Sequence, residues 1–190
     1  MKISNKRLER VGRFLTFLLR HKPSAAGLKM CNQGWVSVNQ LISNTQNNPK
    51  PLDVGELKEV VAFDDNARFA LREGVDGLEI RCSQGHSGAL GVDLGYEAIT
   101  PPETLYHGYP EDLEPTLMNQ GLKAMSRQHV HLTTNKQKAI SSGKRYGIPK
   151  IMIIDAVAAN QAGYRFYCAD NGVWLADYVP PAFLVPMTTV

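Results

Sequence analysis

Cysteine is scarce in this chain and nowhere paired: Cys31, Cys82 and Cys168 are odd in number, far apart, and form no C-x-x-C. That argues against a disulfide framework and a zinc ribbon, and it fits a reducing, cytoplasmic setting. No run of 18 apolar residues exists, so no membrane-spanning helix is expected. The N-terminal "MKISNKRLERVGRFL" is broken by charge and lacks the pure apolar stretch and small-residue cleavage site of a secretory leader. Neither a Walker-type loop nor a G-x-G-x-x-G follows any strand-like run, which leaves P-loop and Rossmann nucleotide sites unsupported. Acid is scarce in one place only. Residues 1–30 hold eight Lys or Arg against Glu9 alone, although the whole chain is just +3.

What is present suits a folded protein: 190 residues, 43% of them hydrophobic, with no internal repeat and no low-complexity tail. Leu8, Val11, Leu15 and Leu18 recur at helical spacing, with Phe14 and Leu19 widening the stripe and Lys6, Arg13 and Arg20 opposite. Pro23 disfavours helical geometry at Lys22, so this helix should end near Arg20 or His21. "GWVSVNQLISNTQ" reads as a second helix and "PLDVGELKEVVAF" as a third, opened by Asp53 with Glu56 three residues on. Two strand-like runs flank Glu73 to Gly77, a hairpin signal. Three helices and a hairpin resemble a winged-helix unit, in which the hairpin can bring Arg81 back toward helix one.

After Gly85 the chain turns glycine- and proline-rich, and a lobe boundary is expected near residue 95. Beyond it the pattern predicts strand 104–108, helix 112–119, strand 129–133 and helix 135–146. The strands "KIMIIDA", "YRFYCAD" and "GVWLADYV" follow, with Asn171-Gly172 as a tight turn and Trp174 in the core. The fold class is α+β, the second half built on a mostly antiparallel sheet.

The five histidines, His21, His86, His107, His129 and His131, invite a site because imidazole is the usual neutral-pH acid, base or ligand. Each also has a structural alternative. Arg20 and His21 could compensate a helix dipole, His86 could sit in a turn, His107 could cap a strand end, and an H-x-H pair could serve the strand it occupies. Metal catalysis is not expected, since His129 and His131 have Arg127 and Gln128 beside them and no carboxylate nearby. "GHSGA" lacks the strand-turn-helix context of a nucleophile elbow, and no histidine follows residue 131 to complete a serine triad. Arg20, Arg81 and Arg127, each close to a histidine in sequence, suit phosphate oxygens by their planar, permanently charged forks. A phosphorylated substrate is indicated.

The segments "FLLRHKPSAAGL", "GWVSVNQLI", "RFAL" with "IRCSQGHS", "TLYHG", "GLKAMSRQHVHLTT" and "NGVWLADYVP" together resemble the RNA 2′-phosphotransferases. Members of that family use NAD+ to remove an internal 2′-phosphate from RNA such as a ligated tRNA splice junction. The resemblance runs from about residue 8 to residue 180 and implies two lobes: a winged-helix RNA-binding lobe, 1–95, and an ADP-ribosyltransferase-like NAD-binding lobe, 96–190. It implies a catalytic set of Arg20, His21, Arg81 and Arg127, and contacts to NAD+ from His86, Ser87, His107, Gly108, His131 and Thr133. It implies a consumed co-substrate, no metal, and RNA as partner; monomer is the default. Tyr109 stands where the family usually has threonine, and Thr133 keeps the hydroxyl of a usual serine. Two rivals remain open: an ADP-ribosyltransferase that stops after the first step, and an inactive RNA-binding module.

Overall fold

The computed structural model describes residues 3–47 and 51–187, so Lys2 of the N-terminal basic run lies outside the described residues. The chain divides into two compact units, Met1–Gly95 and Tyr96–Val190.

In the first unit, α1 (Asn5–Arg20) buries Leu8, Leu15, Leu18 and Leu19 and ends at His21, whose N–H donates to the Phe17 carbonyl. Pro23 then opens a short 3-10 turn, Pro23–Ala26, closed by Gly27 in the left-handed region at φ 59°. Two details of the helix differ from its sequence pattern. Phe14 is 37% exposed instead of widening the apolar stripe, and Arg20 is buried at 8% instead of lying on the solvent face. Phe14 sits at the margin of the stripe, whereas Arg20, opposite it, is buried because Cys82 and the loop at Ser87 lie against the last turn of the helix.

β1 (Val36–Ser37) leads into α2 (Val38–Thr45), capped by the Ser37 hydroxyl, and α3 (Val54–Phe63) is capped by Asp53, which accepts the Glu56 N–H at 2.8 Å. Glu56, itself buried, receives the guanidinium of Arg7 and so ties α3 to α1. β2 (Phe69–Gly74) and β3 (Gly77–Cys82) form the hairpin, with Gly74 opposite Gly77 and Ala70 opposite Arg81. Gly77 has φ 104°, the conformation that lets two residues, Val75 and Asp76, turn the chain. The sheet order is β1-β3-β2, all antiparallel, over one core of helix and strand residues.

The second unit opens without regular structure as far as residue 103. Its elements are β4 (Thr104–Pro110), α4 (Glu114–Gln120), β5 (Leu122–Lys123), β6 (Val130–Leu132), α5 (Lys136–Gly143) and β7 (Pro149–Asp155). α6 (Ala156–Gln161), β8 (Phe166–Cys168), β9 (Trp174–Ala176), β10 (Tyr178–Val179) and β11 (Leu184–Pro186) complete it. Where one antiparallel sheet was expected, three short antiparallel sheets appear, ordered β11-β7-β4, β6-β9-β8 and β10-β5. A bridge between Tyr106 and Thr133 stitches β4 to the chain just after β6. The Asp170-Asn171-Gly172 turn joins β8 to β9, and Trp174 packs partly buried on the core of the unit. α5 lies so close to β4 that a Cβ on Gly108 would stand 1.8 Å from the Ala139 carbonyl oxygen. No helix among the described residues is long and apolar enough to cross a membrane.

Candidate active site

In the 1–95 unit the end of α1 gathers Arg20, His21 and Ser87. The Ser87 amide donates to the Arg20 carbonyl at 2.8 Å, and its hydroxyl lies 2.8 Å from His21 Nδ1. One residue from the loop after β3 thus fixes both the backbone and the ring at the helix end. Nδ1 is thereby engaged while the His21 side chain remains exposed to solvent.

Arg20 turns inward onto the Cys82 thiol, at the end of β3. Burial pushes that thiol up to about 11 and the neighbouring guanidinium only partly opposes it, so Cys82 is protonated and neutral at physiological pH. Arg81, one residue earlier, donates from Nη1 to the carbonyls of Gln33 at 3.3 Å and Leu94 at 3.2 Å, and its guanidinium stacks 4.6 Å from the centre of the Trp35 ring. Arg72 covers the same ring at 4.2 Å. Thiol, carbonyls and indole, all uncharged, are among the groups that hold the two guanidiniums in place. His86 is fully buried, packed against the turn at Gly34, where φ is 81° and a Cβ would come within 3.2 Å of its Nε2.

The 96–190 unit gathers His107, His131 and Thr133. His107 Nδ1 lies 2.9 Å from the His131 carbonyl, which can only accept, so Nδ1 carries the proton. Burial holds the His107 pKa below its ordinary value while the bond to that carbonyl pulls the other way; the ring is neutral at pH 7, with Nε2 as an acceptor. Thr133 exchanges two backbone hydrogen bonds with Tyr106, at 2.8 and 3.0 Å, and its Oγ1 accepts the Asn135 N–H at 3.1 Å on entry to α5. Gly108 is explained locally, since the backbone of α5 fills the space a side chain would need. Tyr109, in place of threonine, is core: 2% exposed, it donates its hydroxyl to Glu114 at 2.6 Å, and burial first and that carboxylate second raise its pKa.

Arg127 lies half-buried in the same unit, in the turn after β5, its N–H donating to the Ala124 carbonyl at 3.0 Å. His129 belongs to another group: its Nε2 is 3.7 Å from Asp177, and its ring meets Tyr167 edge-on at 5.6 Å. Among the described residues no three of His, Cys, Asp and Glu are placed to hold a metal ion.

Of the residues expected in the site, the structure brings Arg20, His21, Arg81, His86 and Ser87 into the 1–95 unit, and His107, Gly108, Arg127, His131 and Thr133 into the 96–190 unit. Residue reasoning missed Trp35 and the Gln33 carbonyl as supports of Arg81. Their only signal was "NQGW" just ahead of β1, which carries no mark of its distant partner.

Residues 6–178 match the model of the RNA 2′-phosphotransferase, Tpt1 / KptA family. The chain belongs to that family. It is 43% identical to a probable RNA 2′-phosphotransferase of Rhodopirellula baltica, over 95% of this chain and 97% of that protein. It is likewise 43% identical to one of Nostoc punctiforme over 96% and 98%, and 42% identical to one of Agrobacterium fabrum over 90% of each. The family match therefore reaches into both units and covers every residue of the candidate site.

Proposed function

We propose that this protein is a transferase that removes an internal 2′-phosphate from RNA with NAD+ as consumed co-substrate. The observation that carries the reading is the cluster at the end of α1. There Arg20 is buried against Cys82 and the exposed imidazole of His21 has its Nδ1 2.8 Å from the Ser87 hydroxyl, with a second buried guanidinium, Arg81, in the same unit, in a member of the RNA 2′-phosphotransferase family. In this reading residues 1–95 form a winged-helix lobe that receives RNA, in keeping with three helices and the β1-β3-β2 sheet with its hairpin. Residues 96–190 form an ADP-ribosyltransferase-like lobe that holds NAD+. The hydrogen-bonding groups of His107, His131 and Thr133 suit the amide and hydroxyl groups of that molecule.

The reaction has two steps. An oxygen of the RNA 2′-phosphate bonds to the ribose carbon bearing nicotinamide, and the bond to nicotinamide breaks. The adjacent ribose 2″-hydroxyl then gives up its proton and bonds to phosphorus, the phosphorus bond to the RNA 2′-oxygen breaks, and that oxygen takes up a proton in turn. The products are nicotinamide, RNA with a 2′-hydroxyl, and ADP-ribose 1″,2″-cyclic phosphate.

A phosphate dianion is already nucleophilic and needs orientation more than deprotonation, which bidentate arginines supply. In the second step charge accumulates on the phosphoryl oxygens, where fixed cations stabilise it most. Arg20, Arg81 and Arg127 take these roles. His21, oriented by Ser87, exchanges the proton of the second step at Nε2.

An RNA with one internal 2′-phosphate, incubated with and without NAD+, tests the reading. Phosphate should leave the RNA only with NAD+, one nicotinamide per phosphate, as the cyclic sugar phosphate. Phosphate loss without NAD+, or RNA that keeps an ADP-ribosyl group as end product, would contradict it.

A further inference from the structure

The solvent face of α1 is unusual in what it exposes. At about 100° per residue, Lys6, Arg10, Arg13, Phe14 and Phe17 fall within an arc of about 100°, which His21 extends at the helix end. Lys6, Arg10, Arg13 and His21 are exposed, and the two phenylalanines between them are 37% and 46% exposed. Leu8, Leu15 and Leu18 occupy the opposite, buried face, so the exposed rings are surplus to the core. Glu9 is the one acid beside the arc, and it meets Arg13 only at 3.9 Å with both side chains largely in solvent, a contact that yields readily to another anion.

A merely solvated face needs cations and no aromatic rings. Cations that follow a phosphate backbone, interleaved with rings on which bases stack, make the surface that grips single-stranded nucleic acid without reading its sequence. From Lys6 to His21 the stripe is about 22 Å long. It ends at the imidazole that the proposed reaction uses.

We propose that this stripe binds the single-stranded RNA flanking the 2′-phosphate, with Arg10 and Arg13 on backbone phosphates and Phe14 and Phe17 under bases, and so delivers the modified nucleotide to His21. The substrate is then an unpaired stretch of several nucleotides around the phosphate, not the phosphorylated nucleotide alone. This rests on the reading of the substrate given above.

The test compares a fluorescent, unstructured 12-nucleotide RNA with a trinucleotide, each carrying one central 2′-phosphate. Binding to the full chain is followed by anisotropy without NAD+ between 50 and 200 mM salt. Replacing both arginines, Arg10→Ala with Arg13→Ala, should weaken 12-nucleotide binding and flatten its logarithmic salt slope by about 1.4, about 0.7 for each lost phosphate contact on a single strand. Phe17→Ala should weaken binding roughly fivefold or more and leave the slope unchanged, because stacking releases no counterions. The trinucleotide should bind wild type and variants alike, with unchanged turnover. Variants that bind the longer RNA as tightly as wild type would overturn the proposal. So would stripe-dependent binding to vesicles of three parts phosphatidylcholine to one of phosphatidylserine with RNA affinity unaltered. Failure of the reaction itself reads differently: wild type would then release no phosphate from either RNA, while the anisotropy comparison would still support or overturn the stripe.

Discussion

In the 1–95 unit the buried polar groups of the candidate site include two cations, Arg20 and Arg81, which meet a protonated thiol, two carbonyls and an indole face, beside the buried ring of His86. In the 96–190 unit the corresponding group is a histidine kept neutral by burial and hydrogen-bonded to a carbonyl. Burial does different things to the two. A guanidinium keeps its proton at any pH a protein survives, so burying it concentrates charge, whereas burying an imidazole removes charge. On the proposed reading this divides the labour among the buried groups, with Arg127 of the 96–190 unit adding a third cation for the phosphate. Permanent charge stands where a phosphate must be held and its transition state stabilised, and neutral donors and acceptors stand where a nucleotide's sugar and amide must be recognised.

The comparison breaks most visibly at Arg81. Arg81→Ala should lower single-turnover phosphate removal by about 10³-fold, the scale of losing one preorganised charge donor. Arg81→Lys should recover little, since a point charge cannot reproduce the flat stack on Trp35. Quenched-flow kinetics at saturating NAD+ would check both. In the other unit the largest effect is structural. Gly108→Ala should cost about 3 kcal/mol or more in a urea titration, because its Cβ meets backbone that cannot swing aside.

Ser87→Ala removes the group that orients His21 and should slow turnover about tenfold with little change in melting temperature. If Ser87 served instead to bind NAD+, the same variant would raise the KM for NAD+ and spare the rate at saturation. The smallest effect is in the pH dependence of stability. In the unfolded chain His107 titrates near its ordinary 6.5, and in the folded chain lower. Between those values the unfolded state binds the extra proton, so stability present above pH 6.5 is lost as pH falls through the folded value. Melting temperatures from pH 7.5 to 5 should therefore fall more steeply for wild type than for His107→Gln.

Much of this was legible in the residues themselves. Pro23 marked the end of α1, Asp53 the start of α3, and the glycines around Val75-Asp76 the hairpin, because each signal is local and each residue does one thing to the backbone. The family motifs marked Arg20, His21 and Arg81, all of which lie in the 1–95 unit, the first two beside Ser87. What was hidden depends on contacts far along the chain. The Ser87 hold on His21 crosses 66 residues, and the inward turn of Arg20 depends on a cysteine in a distant strand. α6 escaped because six residues are too few to show a helical period, although Asp155 caps it. β5 and β11, two or three residues each, are strands only because a partner lies beside them, and the run "GVWLADYV" read as one strand is divided into β9 and β10.

Division of labour between the two units is tested most directly by single-turnover kinetics on RNA labelled in its 2′-phosphate, following nicotinamide release and label release separately. His21→Ala should release nicotinamide at close to the normal rate and accumulate ADP-ribosylated RNA. His107→Leu should slow nicotinamide release itself and accumulate nothing. If both variants slowed the same step, or if His21→Ala left the lifetime of the ADP-ribosylated RNA unchanged, the assignment of the second-step proton to His21 and of NAD+ binding to His107 would be wrong.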